Sequence, residues 1–138
     1  MRKLILLIIT VLFITGCDST EIFEKQCYKT VKSKDTVFKE NIKFVYNNKD
    51  EVLNIIVLKK YTGNELDLIK KSAEEYNNVL AKNDYVKIKI VADSDKKYQV
   101  EYNFDVTKMN DTELEEFNIK NNWIKLNNKI RESDIECK

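Results

Sequence analysis

Apolar and polar side chains alternate with period two along much of the chain. Phe38, Ile42, Phe44 and Tyr46 are separated by Lys39, Asn41 and Lys43, the alternation of a half-buried strand. Residues 27–33 read as a strand before it, joined to it by a turn at Ser33-Lys34-Asp35. Asn47-Asn48-Lys49-Asp50 predicts a hairpin turn, because these residue types tolerate left-handed backbone. Residues 52–58 (VLNIIVL) are apolar on both faces apart from Asn54, which predicts an interior strand with neighbours on either side. Residues 85–91 and 98–106 alternate cleanly around a hairpin supplied by Asp93-Ser94-Asp95-Lys96-Lys97.

A different period takes over after Gly63. Leu66, Ile69, Ala73, Tyr76 and Leu80 advance in steps of three and four, while Lys70, Lys71, Glu74, Glu75 and Asn78 lie mostly off that stripe. This predicts an amphipathic helix laid on a sheet. Thr62 and Glu65 stand at capping-box spacing before it, with Asn64 as an alternative N-cap. Asn110-Asp111-Thr112 opens a second helical segment carrying Leu114 and Phe117; its form also fits a glycosylation acceptor, but a helix cap is the better use. The stripe loses register over residues 118–122, and Trp123, Leu126 and Ile130 then predict a last short helix. Core anchoring is the default role of the single indole. The order of elements predicts an α+β domain: a mainly antiparallel sheet of about five strands, with one long helix and one or two shorter C-terminal helices packed on one face. No repeat of 20 to 50 residues recurs.

The N-terminus follows neither period. Arg2 and Lys3 precede an unbroken apolar run over residues 4–14 (LILLIITVLFI), a secretory signal rather than a spanning helix. Eleven residues rise only about 16 Å as a helix, roughly half the hydrocarbon thickness. The run ends on Ile14-Thr15-Gly16-Cys17, which resembles the bacterial lipobox. That resemblance implies that the Cys17 thiol takes a diacylglyceryl group, that the chain is cut between Gly16 and Cys17, and that Cys17 becomes a lipidated N-terminus carrying acyl chains of the palmitate class. Two acyl chains on one residue suffice for stable anchoring. The alternative is that Cys17 is the first cysteine of a secreted domain cut elsewhere. The expected organisation is residues 1–16 as lipoprotein signal peptide, 17–26 as lipidated N-terminus and tether, and 27–138 as one globular domain on the extracytoplasmic face of a cell membrane.

Composition narrows the class of partner. Without residues 1–16, 122 of the 138 residues remain, enough for one domain and too few for two. Without Arg2 and Lys3, 22 basic side chains face 23 acidic ones. Near-neutrality argues against a nucleic-acid partner and against a polybasic membrane footprint. With Cys17 assigned to lipid, Cys27 and Cys137 remain, one near each end of the domain. In an extracytoplasmic compartment an even pair reads as a disulfide, with two separate free thiols as the alternative.

Candidate chemistry is sparse. The chain has no histidine, which removes the commonest general base and zinc ligand, and its two glycines cannot build a phosphate cradle. Glu74 and Glu75 are adjacent and do not face each other on a helix. Asp93-Ser94-Asp95 lacks the glycine and closing glutamate of a calcium loop. No cofactor, metal or catalytic residue is therefore assigned. The lipobox at Cys17, the stretch KFVYNNKDEV over residues 43–52, the helix after Asn64, the strand VEYNFD over residues 100–105 and the cysteine close to the C-terminus together resemble the YehR-like family of small bacterial lipoproteins, a family of unknown function. The expectation is a non-catalytic binding or accessory module for a cell-envelope protein or wall polymer, with Tyr85 to Lys89 and Asn47 to Asp50 as candidate contacts. Alternatives are an inhibitor of a secreted enzyme such as lysozyme, or a small hydrolase working without histidine. A two-lobed solute receptor does not fit the length.

Overall fold

The computed structural model describes residues 19–138, so the expected signal peptide over residues 1–16 and the expected lipidation site Cys17 lie outside the described residues. Six strands form one sheet: β1 (Ile22–Lys32), β2 (Thr36–Asn47), β3 (Val52–Gly63), β4 (Val86–Ser94), β5 (Lys97–Asp105) and the two-residue β6 (Glu136–Cys137). Their spatial order is β4-β5-β3-β2-β1-β6, and every neighbouring pair is antiparallel. The helices are α1 (Asp67–Leu80), α2 (Asp111–Glu116) and α3 (Trp123–Arg131), with a 3-10 turn (Val106–Lys108) leaving β5. An α+β domain built on an antiparallel sheet is thus present, with six strands instead of about five.

β1 starts at Ile22, not Cys27, and is paired with β2 along its whole length, from Ile22 opposite Asn47 to Lys32 opposite Val37. Residues 22–26, expected to be tether, are therefore sheet. The polar residues Glu24 and Gln26 sit on the solvent side of the strand, which hid the alternation. β6 is the strand not foreseen: two residues carry no readable period, and what holds them is the Cys27–Cys137 disulfide and the antiparallel pairing of those two cysteines.

Strand parity fixes what each face of the sheet carries. On β5, Tyr98, Val100, Tyr102 and Phe104 are all buried, and they stand opposite Tyr61, Lys59, Val57 and Ile55 of β3. Phe44 and Cys27 continue that face through β2 and β1. Leu66 and Leu80 at the two ends of α1, Leu114 of α2, and Trp123, Leu126 and Ile130 of α3 close over it in one core. Burial of apolar area here contributes about 25 cal/mol per Å². Among the described residues the opposite face carries no helix; its Ile56 and Leu58 are half-buried among polar strand neighbours.

Local signals explain the boundaries. α1 has no side-chain cap: Thr62 is still in β3, opposite Val37, and Leu66 stands at the N-cap position with its side chain buried. Burial of Leu66 rather than the Thr62–Glu65 spacing therefore sets where the helix begins. β3 can run to Gly63 only because residue 63 lacks a side chain, since a Cβ there would lie 2.2 Å from the Asp35 carbonyl oxygen. α2 does carry the capping box, Asn110 accepting from the Glu113 N–H and Glu113 accepting from the Asn110 N–H. The break in register falls at Asn118, whose φ of 56° is left-handed. Among the described residues no helix is long and apolar enough to cross a membrane.

Candidate functional site

A hollow open to solvent lies on the helical face, between α1 and the middle of the sheet. It has a volume of about 360 Å³ and is lined by Lys59 and Tyr61 of β3, Tyr102 of β5, and Leu68, Ser72 and Tyr76 of α1, among others. The volume is in the range of small-ligand sites. Strand period places Lys59 and Tyr61 here: they continue the inward positions Ile55 and Val57, so a lysine stem enters where the core pattern calls for an apolar residue. Helix period places the other wall. Leu68, Ser72 and Tyr76 recur every four residues along one side of α1, and Leu68 remains 81% exposed at the rim.

Lys59 Nζ stands 5.2 Å from the centre of the Tyr76 ring and 5.6 Å from that of Tyr102, and its ion-pair partner Glu40 is 3.8 Å away. Tyr76 meets Tyr102 edge-on with ring centres 5.6 Å apart, and Tyr61 stacks on Phe38 at 4.9 Å. Beneath them Tyr102 Oη donates to Asn77 Oδ1 at 2.8 Å, and Asn77 Nδ2 in turn donates to Tyr98 Oη at 3.5 Å. Asn77 thereby ties the helix to β5, and the aromatic lining is held on two rigid elements.

Burial raises the pKa of Tyr61, Tyr76 and Tyr102; the Glu40 charge adds to the effect at Tyr61 and Tyr76, and neighbouring phenols add to it at Tyr61 and Tyr102. All three are hydroxyl donors at neutral pH. Unfolded phenols lose their protons near pH 10 while these hold theirs longer, so their contribution to stability is intact below pH 10 and is lost as pH rises through the folded values. The urea midpoint is expected to fall steadily from pH 10 upward. Tyr102→Phe, which cannot ionise, flattens that fall; an identical slope in wild type and variant would remove burial of Tyr102 as its cause.

The groove also has a definite position relative to the N-terminus. Ser19 and Glu21 accept hydrogen bonds from Asn48 of the β2–β3 turn, which puts the chain entry at that end of the sheet. Tyr61 is nine strand residues beyond Val52, roughly 30 Å away at about 3.3 Å per residue. The groove accordingly opens toward the end of the molecule remote from Ser19 and Glu21.

The residues singled out from sequence are distributed differently. Cys27 and Cys137 are joined. The β2–β3 turn is internally locked: Asn47 Oδ1 accepts from the Lys49 and Glu51 N–H groups, Asn47 Nδ2 donates to Glu51, and the Asp50 carbonyl accepts from the Trp123 N–H at 2.7 Å. This loop is a structural clamp on α3. Of Tyr85 to Lys89, Val86 to Lys89 fall on the edge strand β4 and Tyr85 in the turn just before it, away from the groove. Glu74 and Glu75 are exposed on α1, and Asp93 is engaged by Lys70 at 2.7 Å. The groove itself was not anticipated; the signal for it was Lys59 on an inward-facing strand position.

No protein-family description matches the chain, and no curated protein matches it. Among solved structures, the chain is similar to one described as an NMR structure of the protein from Streptococcus pneumoniae TIGR4, with 10% sequence identity, coverage of 89% of this chain and 88% of that one, and a TM-score of 0.49.

Proposed function

We propose that this chain is a lipoprotein anchored to the cell membrane through diacylglyceryl at Cys17, and that its extracytoplasmic domain is a non-catalytic binding module for a cell-envelope component. The observation that carries the binding reading is the groove formed by Lys59, Tyr61, Tyr76 and Tyr102 on the end of the domain away from the tether. Its groups hold and do not transform. The Lys59 ammonium is engaged by Glu40 and two rings, and the phenols are kept protonated, so the site offers ring faces, hydroxyl donors and an apolar wall. The disulfide suits an extracytoplasmic address, and the resemblance to YehR-like lipoproteins points the same way. The neutral ion pair and the mixed lining favour a chain segment with both apolar and hydroxyl or amide groups, as in an envelope protein or a wall polymer.

Two measurements on cells producing the protein test the two halves. Metabolic labelling with an alkynyl palmitate is expected to mark wild type and not Cys17→Ser, which accumulates uncut; a labelled, cut variant would refute the anchor. For the groove, a photo-crosslinking amino acid in place of Leu68 is expected to give a defined adduct that is lost when Tyr76→Ala and Lys59→Ala are added. Persistence of the same adduct would move the binding site elsewhere.

A further inference from the structure

The open face of the sheet carries a second feature, and it depends on neither the anchor nor the groove. Lys39 and Lys60 are direct cross-strand partners on that face. Like charges placed opposite one another on antiparallel strands repel. Several other sheet lysines have carboxylates: Lys43 pairs with Glu24 and Lys29 with Asp134, both at 3.3 Å, and Lys89 stands opposite Glu101. Among the described residues neither Lys39 nor Lys60 makes an ion pair. Following the register outward, their row reads Thr30, Lys39, Lys60, Gln99, Ala92, and the next row toward the end remote from Ser19 and Glu21 reads Lys32, Val37, Thr62, Lys97, Ser94. Two adjacent rows thus hold four lysines and no carboxylate, while the flanking turns contribute balanced Lys34 with Asp35 and Asp95 with Lys96. A shallow hollow of about 290 Å³ lies at the Lys39–Lys60 pair, floored by Leu58 and lined also by Tyr28, Lys29, Thr30, Glu40 and Asn41; Glu40 alternates to the helical face, where its carboxylate pairs with Lys59.

We infer that this half of the open sheet face is a binding site for a phosphodiester polymer, one phosphate seated between Lys39 and Lys60. Phosphate fits the donors present: two ammonium groups with three N–H each, the Thr30 hydroxyl and the Asn41 amide line one hollow, and an anion there converts the like-charge repulsion into attraction. A polymer fits the spacing. Lys32 and Lys97 lie in the next row, roughly 7 Å along the strands and one strand outward on either side of the pair, so each provides for a different neighbouring phosphate. The near-neutral total charge conceals this because the carboxylates are sorted elsewhere.

The test uses the purified full chain in detergent, with poly(glycerol phosphate) as the phosphodiester probe, and orthophosphate and polyglutamate beside it, at several salt concentrations. Poly(glycerol phosphate) is expected to bind with affinity falling as salt rises. Lys39→Gln with Lys60→Gln should weaken it at least about 10-fold and reduce the log-log salt slope by about 1.5, whereas Lys87→Gln with Lys89→Gln on the same face changes affinity less than about 3-fold. Equal losses in the two double variants, or none in the first, would overturn the site. Polyglutamate binding as tightly would overturn phosphate as the ligand, and orthophosphate binding as tightly would overturn the polymer. Folding supplies an independent check: with the repulsion removed, the melting temperature of the Lys39/Lys60 double variant should rise by about 1–4 °C. A lower melting temperature would contradict the premise that the pair is held at a cost.

Discussion

Converting Cys27 and Cys137 together to alanine is expected to lower the unfolding free energy of the domain by about 3–5 kcal/mol. The bridge spans a sequence separation of 110 residues, so in its absence almost the entire unfolded chain gains freedom. Chain-entropy arguments assign a loop of that length about 4–5 kcal/mol, and local packing decides how much is realised. Packing here works in its favour. Cys27 is fully buried on the inner face of β1, and the bridge holds a two-residue strand whose register is Cys27 opposite Cys137 and Tyr28 opposite Glu136, extended by one bond from the Lys138 N–H to the Gln26 carbonyl. A ladder that short does not persist by itself, so the loss of the covalent link also uncovers the edge of β1. Thermal unfolding of the protein followed by circular dichroism is expected to move down by roughly 10–20 °C in the double variant. Wild type treated with reductant should shift similarly. A shift under 2 °C in both would show that the unfolded ensemble is not the place where the bridge acts.

How much of this was legible in the sequence depends on whether a residue's role is set by its neighbours along the chain or across it. Tyr98, Val100, Tyr102 and Phe104 are buried as their alternation requires, and Leu66 and Leu80 bracket α1 as the helical stripe requires. The Asn110–Glu113 box was readable because both partners lie within one turn. Where tertiary pairing competes with local chemistry, the local signal loses. Thr62 has the right spacing to cap a helix, but its pairing with Val37 keeps it in the sheet. Ile22 to Gln26 looks like a polar tether until β2 is laid beside it. The groove and the lysine rows are harder still, because each is assembled across strands. Lys59 and Lys60 are adjacent in sequence yet face opposite sides, one toward Tyr76 and Tyr102, the other toward Lys39. Only the register separates them, and no count of charges along the chain could have done so.

Trp123 shows the same dependence on pairing in energetic form. Trp123→Ala is expected to cost about 3–5 kcal/mol, because a large buried side chain is removed and its site cannot fully collapse. The indole lies nearly parallel to the Tyr46 ring, with centres 4.0 Å apart and planes 9° apart, and is tilted against Phe44 at 5.8 Å. Phe23 of β1 continues the aromatic row on the far side of Tyr46 at 5.6 Å. The site resists collapse because the backbone around it is pinned independently of the indole. The Trp123 N–H donates to Asp50, the Val52 N–H donates to Asn121, and Asn122 caps α3 by accepting from Lys125. Truncation therefore leaves α3 in place over a void instead of letting it settle onto the sheet. Urea unfolding followed by circular dichroism should show a lower midpoint with an unchanged slope, since the exposed surface on unfolding is nearly the same. Trp123→Phe should recover more than half of the loss. In a double-mutant cycle with Tyr46→Ala the coupling is expected at about 1 kcal/mol. A Trp123→Ala cost below 1 kcal/mol would mean that the helix does move to fill the space, and that the turn at residues 47–51 alone positions α3. With only 8% of its surface exposed, the indole has little left to offer a partner, so its energetic weight falls on the core.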